Sequence, residues 1–156
     1  MKRSECSKQC FFNGFNCAQS VFSTYCSELG LESEMALRIA GSFGGGMGHI
    51  GETCGAVTGA FMLIGLKHGK VNVEDNAAKE KTYALVQEFT RKFIAMHGSV
   101  KCSDLLGCDI SIPGELENAA EKQLFSTICP NLVKDSSEIV EELLELYGEG
   151  ADKYGK

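Results

Sequence analysis

Apolar residues recur at helical spacing along most of the chain, and the breaks between runs fall at glycines. Over 16–29, Ala18, Val21, Phe22, Tyr25 and Leu29 make one apolar face. Asn16 with Gln19 three residues on is an Asn-headed capping box, so Asn16 is the expected N-cap, Cys17 the first helical residue and Gly30 the stop. A second helix is expected over 33–43, through Met35, Leu37, Ile39 and Phe43, before the run Gly44-Gly45-Gly46-Met47-Gly48-His49-Ile50-Gly51. The almost wholly apolar stretch 52–68, closed by Lys67, His68 and Gly69, reads as the buried central helix.

A fourth helix over 74–97 carries Val86, Phe89, Phe93 and Met96 in steps of three and four and stops at Gly98. A short turn over 100–106 ends at Gly107, and a further segment covers 113–125. The last helix begins after Cys129 with Pro130 at its first position and runs to Gly148. No stretch alternates with period two between hairpin turns, so no sheet is expected. The pattern specifies an all-α fold, a single-domain helical bundle of about five to seven helices around a buried glycine-rich central helix. That domain covers 1–156, with 149–156 a frayed polar tail.

Composition adds three constraints. The chain opens Met1-Lys2-Arg3-Ser4-Glu5-Cys6 with no apolar h-region, and no apolar run reaches membrane-spanning length, so the expected location is the cytoplasm, away from any membrane. A net charge of -6 with scattered Lys and Arg excludes nucleic acid, whose binding needs clustered cations. Eight cysteines are heavy usage for a compartment that keeps thiols reduced, and 156 residues make a core that needs no staples. The cysteines therefore point to metal ligation or redox chemistry.

No local CxxC or CxxCH motif is present, so any site must be assembled by the fold, and covalent haem is excluded. The helix assignments select four positions: Cys17, Cys54, Cys102 and Cys129 each fall at or within the first turn of an expected helix. Unpaired N–H groups and the positive dipole end there favour thiolate over thiol. Cys6, Cys10, Cys26 and Cys108 suit the plainer reading of small buried hydrophobes.

Four segments together resemble the C_GCAxxG_C_C family of redox-active proteins: Gly14-Phe15-Asn16-Cys17-Ala18-Gln19-Ser20-Val21, then Phe43-Gly44-Gly45-Gly46-Met47-Gly48 leading to Cys54-Gly55-Ala56-Val57-Thr58-Gly59-Ala60, then Cys102-Ser103-Asp104-Leu105-Leu106-Gly107, and Cys129-Pro130. The resemblance spans about residues 10–145; it departs from the family's label in reading Cys54-Gly55-Ala56 where that label has Gly-Cys-Ala. It implies that Cys17, Cys54, Cys102 and Cys129 are the functional set. It also extends to a domain of split-Soret type cytochromes, of which only the iron–sulfur part carries over to a chain without CxxCH.

Four thiolates have the number and softness for a [2Fe-2S] or [4Fe-4S] cluster in an electron-transfer protein with an unidentified redox partner. Reversible dithiol chemistry and a zinc-stabilised binding module are the alternatives. Gly46-Met47-Gly48-His49-Ile50-Gly51 matches GxGxxG, yet a dinucleotide fingerprint must follow a strand, and a helix is expected there. The glycines instead allow a tight crossing beside Cys54, their N–H groups facing thiolate or sulfide. Gly55, Gly59 and Gly65 imply close packing of their helix. His49 is either a ligand or proton relay, or a solvated loop histidine. His68 and His97 read as helix C-terminal charges. Exposed apolar positions admit a helix-mediated homodimer.

Overall fold

The computed structural model describes residues 1–147; the expected tail 149–156 and the expected helix end at Gly148 lie outside them. Among the described residues ten α-helical segments follow one another, with a 3-10 turn (Cys26–Leu29) after the second: α1 (Arg3–Phe12), α2 (Cys17–Tyr25), α3 (Ser33–Ala40), α4 (Gly44–Met47), α5 (Gly55–His68), α6 (Asn76–His97), α7 (Cys102–Leu106), α8 (Glu115–Glu121), α9 (Leu124–Thr127) and α10 (Cys129–Leu144). Among the described residues there is no strand, only an isolated bridge between Thr53 and Lys101.

The centre of the fold is α5. Ala56, Val57, Ala60, Leu63 and Ile64 are fully buried, and α2, α6 and α10 pack around it. The α2 face is a glycine seam, where a Cβ placed on Gly59 would sit 2.8 Å from the Ala18 carbonyl oxygen and one on Gly55 2.9 Å from the Ala18 nitrogen. Only glycine allows that approach. Gly65 does not share this role, since a Cβ there would meet nothing within 4 Å. On the α6 face, Phe61 meets Phe89 edge-on at 5.7 Å and Phe89 stacks on Phe93 at 5.9 Å.

The expected caps of α2 are present. Asn16 Oδ1 accepts from the Gln19 N–H at 2.8 Å while Gln19 Oε1 accepts from the Asn16 N–H at 3.0 Å, and Gly30 is left-handed. Gly98 and Gly107 close α6 and α7 in the same left-handed way.

Four boundaries differ from expectation. α3 stops at Ala40 and buries Ala36 and Ala40, leaving Met35 and Ile39 exposed. The central helix starts at Gly55, because 52–54 is extended and pairs with 100–102. The segment 113–125 divides into α8 and α9 at Gln123, whose φ is 57°. α10 begins at Cys129 itself and ends at Leu144, before left-handed Glu145. In addition α1 was not marked by periodicity, since its buried face holds Ser4 and Ser7 against α10.

Candidate thiol centre

Cys17, Cys54, Cys102 and Cys129 come from α2, the start of α5, α7 and α10, and all four line one cavity of about 370 Å³. Their exposures are 8, 3, 8 and 7 %. Each owes its position to a local feature. Cys17 is the first helical residue after the Asn16 cap, whose side-chain Nδ2 also donates to the carbonyls of Ala40 and Gly41 at 3.4 and 3.2 Å. Cys129 opens α10 with Pro130 behind it. Cys54 and Cys102 are set by the short pairing of 52–54 with 100–102: the Cys54 N–H donates to Val100 O at 2.8 Å, and the Cys102 N–H to Glu52 O at 2.6 Å. No sequence motif announces that pairing, which Ser103 extends by donating from its N–H and Oγ to Gly51 O at 3.2 and 2.8 Å.

The glycine run builds the rim. Gly45, Gly46, Met47, Gly48 and His49 have φ of 67, 66, 69, 60 and 65°, so the chain here turns as a left-handed helix. L-residues pay about 1–2 kcal/mol each for that conformation, which is why glycine holds three of the five positions. The turn is tied down by Gly51 N–H donating to Gly45 O at 3.2 Å and Glu52 N–H to Gly46 O at 3.0 Å. It reaches the thiols directly: a Cβ on Gly46 would lie 2.6 Å from Cys102 Cβ. The preceding element is α3, not a strand, so the dinucleotide reading lacks its context here as it did in the sequence.

The four thiols are not electrostatically alike. Cys17 is hydrogen-bonded to Cys129 and to Cys54, and those bonds, with burial, hold its pKa well above the ordinary thiol value. Cys54 moves the other way: the hydrogen bond from Cys17, aided by the backbone N–H groups of Ala56 and Val57, lowers its pKa against the opposing effect of burial. Burial first, then the neighbouring charges of Cys54, Cys129, Cys108 and Asp109, push Cys102 up to about 12. The expectation that helix starts favour thiolate at all four positions is therefore met at Cys54 and overturned at Cys17 and Cys102. Hydrogen bonds that need the Cys17 proton, and burial with like charge at Cys102, outweigh a dipole end in this shared pocket.

His49 lies on the exposed rim with its ring folded over Gly45, and it lines the same cavity. The cavity's other wall is apolar, with Phe11, Leu116, Phe125 and Leu132, none of which carries a sequence signal of its own. Cys26 is fully buried and its thiol contacts the Ser23 carbonyl, as the plainer reading requires. Cys10 and Cys108 are partly buried, and Cys6 is exposed, contrary to that reading. His97 pairs with Asp135 at 3.0 Å, and burial with nearby Lys81 and Lys67 lowers the pKa of His68, which weakens its expected role as a helix-end charge. As the side chains stand, no group of three or more His, Cys, Asp or Glu among the described residues is set to hold a metal ion. Cys17 nonetheless interacts with both Cys54 and Cys129 within the shared cavity.

An all-helical chain with four buried thiols around one cavity defines a class of cysteine-centred helical proteins. The sequence model of the family described as "Putative redox-active protein (C_GCAxxG_C_C)" matches residues 15–143. The chain belongs to the C_GCAxxG_C_C family. No curated protein and no solved structure matches it. Among the described residues no helix is long and apolar enough to cross a membrane.

Proposed function

We propose that this chain is an electron-transfer protein in which Cys17, Cys54, Cys102 and Cys129 ligate an iron–sulfur cluster. The observation that carries the reading is the lining of a single cavity by four buried thiols from four separate helix starts. Four soft sulfur donors are the complement that [2Fe-2S] and [4Fe-4S] clusters take. A cavity of about 370 Å³ has room for a multi-atom group. The cluster would supply one-electron chemistry; the protein supplies a dry site and close backbone at the glycine turn, two of the features that tune such potentials.

The test is anaerobic reconstitution with iron and sulfide, read by visible absorption and by iron and labile sulfide content. Cys17→Ser, Cys54→Ser, Cys102→Ser and Cys129→Ser should each abolish or reshape the chromophore while far-UV helix content stays, because serine is nearly isosteric but a poor soft-metal ligand. Cys26→Ser should leave the spectrum unchanged. A parent protein that takes up no iron ends the cluster reading, and a colourless protein that retains zinc supports a binding module.

A second reading has its own observation. Cys17 shares one cavity with Cys54 and Cys129 and interacts with both, so closing it onto either would form a disulfide, releasing two protons and two electrons to a thiol–disulfide partner. Metal-free protein that loses thiols in pairs under mild oxidant, with Cys17 in the mapped bridge, would favour this chemistry.

A further inference from the structure

Cys6 and Cys10 stand outside the buried set and do not line the cavity, although Phe11, the residue after Cys10 in α1, does. Cys6 is exposed, so it does not fill the core. The two cysteines are one turn apart on one face of α1, which places their Cβ atoms about 5–6 Å from each other. A third sulfur is already in place: Met1 Sδ lies 3.8 Å from Cys6 Sγ. Two sulfurs that share one ion at about 2.3 Å are themselves about 3.8–4.0 Å apart, depending on the angle at the metal. Cys10 Sγ meets only a weak contact, Ser23 Oγ at 3.8 Å.

We infer that Met1, Cys6 and Cys10 form a surface site for a soft monovalent cation of the Cu(I) class. Two thiolates and a thioether are soft donors that select such an ion over calcium or magnesium, and the thioether is not among the usual zinc ligands. Binding forms two metal–thiolate bonds, and the two thiol protons pass to solvent; no electron moves. The product carries one negative charge at the thiolates, and Lys2, one turn before Cys6, is the nearest cation along that face. The site is independent of the buried thiols and stands or falls without them.

The experiment uses the full chain, kept anaerobic, titrated with Cu(I) to three equivalents so that capture by the buried cysteines cannot starve the surface pair. Alkylation of each cysteine by a small neutral reagent is then followed by peptide mass mapping. Cu(I) should slow modification of Cys6 and Cys10 together. In Cys6→Ser the protection of Cys10 should disappear, and in Cys10→Ser that of Cys6. Loss of a direct ligand should weaken retention against a chromophoric Cu(I) chelator by more than the roughly 10–100-fold that losing an outer-shell partner costs. Unchanged alkylation of both cysteines at three equivalents overturns the site, as does protection of Cys10 that survives Cys6→Ser. X-ray absorption at copper should count three sulfur neighbours at this site in a Cys17→Ser, Cys129→Ser background with parental helix content, and a count of two removes Met1.

Discussion

Cys17 and Cys54 share a hydrogen bond across the seam between α2 and α5, and that bond drives their proton affinities apart. Cys17 holds its proton more tightly than an ordinary thiol, and Cys54 ionises more readily than one. In metal-free protein at neutral pH a small neutral alkylating reagent should therefore modify Cys54 before Cys102, because the thiolate is the nucleophile. Peptide mapping after partial reaction checks the order, and earlier labelling of Cys102 would show that access, not ionisation, governs this pocket.

Cys102 gives a pH dependence with a definite sign. Its folded pKa of about 12 lies above the ~8.5 of a free thiol. Below the lower value both states hold the proton and nothing is lost. Between the two values the unfolded chain ionises first, so stability of the metal-free protein falls as pH rises. Denaturant midpoints measured from pH 8 upward should decline less steeply for Cys102→Ser than for the parent.

The two kinds of glycine in α5 predict opposite outcomes. Gly59→Ala forces a methyl to within 2.8 Å of the Ala18 carbonyl and should cost about 1–3 kcal/mol by separating α2 from α5. Gly65→Ala meets nothing within 4 Å and should gain about 0.5–1 kcal/mol from helix propensity. Urea unfolding of the two variants, monitored by circular dichroism, reads both signs in one comparison.

Gly46→Ala should damage both the site and the turn that builds its rim. The added methyl would lie 2.6 Å from Cys102 Cβ and 2.7 Å from the Glu52 nitrogen, and the residue must also hold a φ of 66°. The variant should lose about 1–2 kcal/mol from the left-handed conformation alone. Iron uptake on reconstitution should drop with it, whereas Gly48→Ala, whose Cβ would meet only Ser42 O at 3.8 Å, should show the backbone cost with less loss of uptake.

What the sequence displayed and what it concealed have separate physical causes. Asn16, Gly30, Gly98 and Gly107 act through bonds or dihedrals within a few residues, so their roles could be read locally. The choice of Cys17, Cys54, Cys102 and Cys129 followed from those same helix starts, and all four do line one cavity. α1 was hidden because Ser4 and Ser7 occupy its buried face, with Ser4 Oγ donating to Glu138 at 3.0 Å in place of an apolar contact. The pairing of Thr53 with Lys101 joins distant segments, and its residues carry no alternation to betray it. Thiol ionisation at Cys17 and Cys102 depends on neighbours that only the folded chain supplies, so no local signal carries it.

The four cavity-lining cysteines sit on elements distributed over most of the chain, so no contiguous fragment carries the set. A group gripped by all of them would act as a cross-link, closing loops whose entropy the denatured ensemble otherwise keeps. Loading and folding then become thermodynamically linked, and the occupied protein should open more reluctantly than the bare one. A local loosening at the Thr53–Lys101 bridge would be paid for in affinity, and a chelator would report on the integrity of helices it never touches.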